Sequence, residues 1–144
     1  MNPSYVHLLI NAIPVLGTLT GLILLAYGLV KSSRRYDRES YMVFMISSIG
    51  TIVTYISGFW IMDAIETPSN EMMESIQLHQ YIAQGAIASM IILGLTSFYA
   101  YRLSSKGHAV SNTLNYVLLG IAFVSLAITL STSMQGINIH YPIN

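Results

Sequence analysis

Four long apolar runs, at about residues 4–30, 41–64, 76–102 and 112–135, leave this chain little choice of fold. Each exceeds the roughly 20 residues that a helix needs to cross a hydrocarbon layer about 30 Å thick. Inside lipid every backbone amide must bond within its own segment, so runs of this length are expected to be helices. Only 8 % of the 144 residues are charged, against about 25 % in a soluble domain. Something other than water must face most of the surface. The expectation is an all-α, four-helix transmembrane bundle, up-down-up-down, forming one domain over residues 1–144 with the lipid bilayer as its first partner.

The basic residues set the expected orientation. Lys31, Arg34, Arg35 and Arg38 fall between the first two runs, and Arg102 and Lys106 between the last two. The positive-inside rule assigns that side to the cytoplasm. Both termini and the acidic stretch "DAIETPSNEMMES" then face the periplasm, in a bacterial inner membrane. The first run lacks a preceding basic region and a small-residue cleavage site, so it is expected to remain as a span. Asn2 and Pro3 suit the start of the first helix. Ser69 or Asn70 suits the start of the third, with Glu71 and Glu74 favoured by the helix dipole.

A histidine near the mouth of a membrane helix needs a reason. His7 lies 24 residues before Lys31, and His79 lies 23 before Arg102. At 1.5 Å per residue these are heights of about 36 Å and about 35 Å above the basic anchors. Asp63 reaches about 37 Å by the same count. His7 heads a stripe of Asn11, Pro14, Thr18, Gly21, Leu25 and Gly28, spaced by three and four. His79 heads a stripe of Ala83, Ala86, Met90, Leu93 and Ser97. Comparable stripes are Ser47, Gly50, Thr54, Ser57, Gly58 and Ile61 on the second helix, and Ala122, Ser125, Thr129, Thr132 and Gly136 on the fourth. Small and polar faces of this kind let membrane helices approach closely, so these are the expected inward faces.

Two level imidazoles facing inward suit the axial ligation of a haem iron, so His7 and His79 are the candidate metal ligands and haem b the candidate cofactor. Ala83, Gly85 and Ala86 would supply a flat slot beside His79. Asn11, Gln80, Tyr5 and Tyr81 stand in for the basic residues that the outer side lacks. The plainer alternative makes each histidine an interfacial residue bonded to a neighbour, such as His79 to Asp63. Pro14 frees the carbonyl of Ile10, which either kinks the first helix or is absorbed by packing. Met62, Met72, Met73 and Met134 share the histidine side, and thioethers with imidazoles suit Cu(I), a third option. His108 is expected to be solvated in the inner loop, and His140 lies in the outer tail.

Other classes fall away. There is no cysteine, phosphate-binding loop, nucleophile elbow or chain of ionisable groups through the membrane, so thiolate sites, nucleotide chemistry and stand-alone pumping are not expected. No nucleic-acid partner is expected. The chain reads as an electron-transfer or accessory subunit rather than an enzyme by itself.

At "YVHLLINAIP", "GFWIMD" and "LHQYIAQGAIA" the sequence resembles the DUF2231 group of small four-helix bacterial membrane proteins. The resemblance rests on Val6-His7, on Gly58 with Asp63, and on His79. It departs in placing the proline after the first histidine at Pro14 and in lacking the preceding His-Pro repeats. The resemblance implies haem b binding by the two histidines. It also implies an association with electron transfer, since some relatives resemble fusions to Rieske iron–sulphur domains. The expected function is therefore a b-type cytochrome-like subunit of a larger redox complex, with a periplasmic cytochrome c or Rieske-type protein as electron partner. The alternative is a cofactor-free structural or assembly subunit.

Overall fold

The computed structural model describes the backbone of residues 3–62 and 70–140, with side chains for residues 9–59 and 70–136. It contains four helices: α1 (Pro3–Lys31), α2 (Arg34–Met62), α3 (Asn70–Ser105) and α4 (Asn112–His140). Each is long and apolar enough to cross a membrane. α1 packs on α2 and α4, and α3 packs on the same two, so the helices form an antiparallel ring in chain order. Both short connections lie at one end of the bundle, here the basic end. The chain termini mark the other, the terminal end.

The basic segment is not the loop expected from composition. α2 begins at Arg34, well before residue 41, and the connection to α1 is only Ser32 and Ser33. Two bonds close this turn: Ser33 N–H donates to Gly28 O at 2.9 Å and Ser32 N–H to Leu29 O at 3.3 Å. This is a Schellman ending with Ser32 in the left-handed region at φ 52°, a place usually given to glycine. Arg35 and Glu39 then pair one turn apart at 2.8 Å, so the charged residues belong to the first turns of α2. α3 ends in the same way, His108 N–H donating to Leu103 O and Gly107 N–H to Ser104 O, with Gly107 at φ 80°. Ser111 caps α4 by accepting from Leu114 N–H at 3.2 Å.

Side-chain distribution is the reverse of a water-soluble protein. Thr18, Ser40, Ser97 and Ser125 are fully buried, while Leu9 is 72 % and Val30 81 % exposed. Large apolar side chains outside and small polar ones inside are stable only with hydrocarbon outside. The chain is a multi-pass membrane protein. Most of its hydroxyls return their protons to helix carbonyls one turn back, as Ser47 does to Val43 O and Thr129 to Ser125 O, while the buried hydroxyls of Ser97 and Ser125 have no partner among the described residues.

Glycines set the α1–α2 contact. A Cβ at Gly17 would run into Ser47, one at Gly21 into the Phe44 ring, and one at Gly28 into Asp37. Gly50 of α2 in turn receives Ile13 and Pro14. On the α2–α3 side Gly94 lies under Ser48, whose hydroxyl donates to Met90 O at 2.7 Å. The centre is filled by Leu25, Tyr41, Phe44, Met90, Leu93, Leu118 and Ala122. Both diagonals of the ring are bridged: Thr18 of α1 meets Met90 Sδ of α3 at 3.6 Å, and Tyr41 of α2 donates to Asn115 Oδ1 of α4 at 2.5 Å.

Candidate functional site

The expected inward stripes are the inward faces. Pro14, Thr18, Gly21, Leu25 and Gly28 of α1 are buried, as are Ala86, Met90, Leu93 and Ser97 of α3 and Ala122, Ser125, Thr129 and Thr132 of α4. His79 and Ala83 continue the α3 stripe toward the terminal end, half-buried, and Asn11 is half-buried on α1.

His79 points at α4. The edge of its imidazole meets Gly136: a Cβ there would stand 3.3 Å from Cε1 and 3.9 Å from Nε2. A side chain at position 136 would have to displace the ring, so the glycine shapes the seat of the histidine. Beside it, Gln135 Oε1 is buried with no hydrogen-bond partner among the described residues. Gln135 was not among the sequence candidates; its one signal is its place next to Gly136, among the other polar residues that end α4.

Register relates the two ends of the candidate ligand pair. Thr18 and Met90, in contact across the bundle, are 72 positions apart. His7 and His79 are separated by the same 72 positions on the same two parallel helices. Eleven residues from that contact along both helices, the backbone positions of residues 7 and 79 therefore come level. The His7 side chain lies outside the described residues, as do Asp63 and the side chains of Met62 and His140.

Other candidates sit elsewhere. Gly85 is exposed, and a Cβ there would meet only Ile128, at 3.9 Å, so it does not share the inward face of Ala83 and Ala86. Tyr81 is 76 % exposed on the lipid side and does not face the His79 seat. Met134 is turned outward, 66 % exposed, and Met72 and Met73 are exposed near the start of α3. No group of three or more His, Asp or Glu with metal-binding geometry occurs among the described residues. His108 is exposed, as expected.

A second polar cluster, absent from the sequence candidates, lies at the basic end. Asp37, Tyr41 and Asn115 meet there, with Asp37 Oδ1 buried against Gly28. Comparison with known proteins returns no matching family model, no matching curated protein and no matching solved structure.

Proposed function

We propose that this chain is a membrane-embedded, b-type cytochrome-like electron-transfer subunit, holding one haem b at its terminal end between His7 and His79. The observation that carries the reading is the shared register: the offset that brings Thr18 against Met90 is the one that separates the two histidines. The placement of His79 on the inward stripe supports the reading. Its ring is carried into the bundle on the same face as Ala83 and Ala86, and Gly136 leaves it the room to lie against α4. Asn11, half-buried on the His7 stripe, is available to a polar edge of the cofactor. The haem would supply reversible one-electron chemistry. The protein's part is to hold two neutral imidazoles and to exclude water around them.

One site near one face cannot carry electrons across the bilayer, so the subunit works within a larger redox complex. Its setting in this reading is the bacterial inner membrane, with the basic end cytoplasmic and both termini periplasmic. A periplasmic cytochrome c or Rieske-type protein is the partner that the sequence resemblance supports.

One observation favours a second reading. Between the Thr18–Met90 contact and the basic end the interior is closed by Leu25, Phe44, Leu93 and Leu118, all fully buried. Such packing serves equally a cofactor-free structural or assembly subunit. A dithionite-reduced minus oxidised spectrum of protein produced with ample haem separates the two: α and Soret bands support the cytochrome, a flat trace the scaffold.

A further inference from the structure

Of the two carboxylates at the basic end, one is withdrawn from its surface and the other, half-exposed, is neutralised by a neighbouring arginine. Asp37 turns inward, its Oδ1 buried where a Gly28 side chain would have to be. Glu39 is held by Arg35 at 2.8 Å, the one ion pair among the described residues. That leaves Lys31, Arg34, Arg38, Arg102 and Lys106 with no carboxylate partner among the described residues, all of them exposed. Sequence counting gives this end six cations and two anions. Folding buries one of the two anions and pairs the other, so the unpaired charges of its outer face are cationic.

One corner is organised. Arg38 of α2 reaches across to α3, where its Nη2 donates to Tyr101 Oη at 3.2 Å and its guanidinium lies 5.1 Å from the Tyr101 ring centre. The ring contact and a single hydrogen bond tether the guanidinium to Tyr101 while leaving most of its donors free. Arg102 follows Tyr101 directly on α3 and is exposed. Around it Phe98 and Tyr99 face the lipid. A guanidinium tethered to Tyr101, with a second exposed arginine at the next position of α3 and at the level where apolar surface gives way to charge, matches a phosphodiester presented by a membrane leaflet.

We propose that the α2–α3 corner formed by Arg38, Tyr101 and Arg102 is a docking surface for the headgroup of an anionic phospholipid. Charge complementarity selects the occupant: a zwitterionic lipid brings its own cation to a corner that already lacks any free carboxylate. The surface lies at the opposite end of the bundle from His79 and does not depend on a haem.

The test is native mass spectrometry of the detergent-purified full chain titrated with phosphatidylglycerol or with phosphatidylcholine. Phosphatidylglycerol is expected to bind in preference. Arg38→Gln and Arg102→Gln are each expected to weaken it roughly fivefold, since a basic residue at an anionic surface contributes about that factor. Glu39→Gln, which releases Arg35, is expected to tighten binding by a similar factor, a gain that misfolding cannot imitate. Equal binding of the two lipids, or indifference to all three substitutions, overturns the proposal. Displacement of phosphatidylglycerol by an equal concentration of inorganic phosphate also overturns it, because the corner would then be a free-phosphate site.

Discussion

Thr54 of α2 donates its hydroxyl toward the carbonyl of Ile10 at 3.4 Å, the carbonyl that Pro14 leaves without an amide partner in α1. The same hydroxyl donates to Gly50 O at 2.9 Å, so one proton is shared between its own helix and the neighbour. Pro14 itself is fully buried against Gly50. The proline is thus accommodated by the α1–α2 seam: its ring fills the glycine hollow, and its orphaned acceptor faces a hydroxyl.

This pairing gives the first prediction. Thr54→Val should cost about 0.6 kcal/mol, the usual worth of an interhelical hydrogen bond in a membrane protein. In a Pro14→Ala background residue 14 regains its amide and satisfies Ile10 O, so the penalty specific to Thr54 should shrink. A double-mutant cycle by reversible unfolding in detergent reads the coupling. Equal penalties in both backgrounds would mean that Thr54 does not serve Ile10.

Glycines should respond according to their surroundings. Gly21→Ala drives a methyl into the ring of Phe44, which is fully buried and cannot withdraw. A loss of about 1–3 kcal/mol is expected. Gly120 has nothing within 4 Å of its added Cβ, so Gly120→Ala should be neutral or stabilising by up to about 1 kcal/mol through helix propensity. The same assay compares them directly.

The two turns at the basic end predict opposite signs. Ser32→Gly removes the Cβ penalty of a left-handed residue and should stabilise by about 0.5–1 kcal/mol. Gly107→Ala imposes that penalty at an equivalent position and should destabilise by about 1 kcal/mol. Thermal unfolding of the two variants beside the parent checks both.

Gly136→Val tests the seat of His79 without removing the histidine. The added side chain occupies the space of the imidazole edge, so haem retention should fall as far as it does in His79→Ala. Gly120→Ala should retain the cofactor fully. Retention is measured as haem bound per protein after purification.

Much of the fold was legible because lipid inverts the usual pattern. With hydrocarbon outside, stripes of mainly small and polar residues at spacings of three and four favour the inward face, so Pro14, Thr18 and Gly21 or Ala86 and Ser97 identified their faces in advance. The start of α2 was hidden for a physical reason. Arg34 to Glu39 carry loop-like charge, yet a Schellman turn through Ser32 needs only two residues, and the Arg35–Glu39 pair supports helix from there on. Gly85 was misplaced by proximity in sequence; the spacing of His79, Ala83 and Ala86 already leaves it on another face. Tyr41, Asn115 and Gln135 escaped notice because their positions depend on how α4 rotates against its neighbours, which no single-helix pattern contains.

The central claim is that His7 and His79, brought level by the register of α1 and α3, hold one haem. A reduced minus oxidised absorption spectrum of the purified protein and of its His7→Ala and His79→Ala variants tests it most directly. The account predicts sharp α and Soret bands in the parent and their loss in each variant. A flat spectrum from the parent after expression with ample haem, or bands that survive both substitutions, would contradict it.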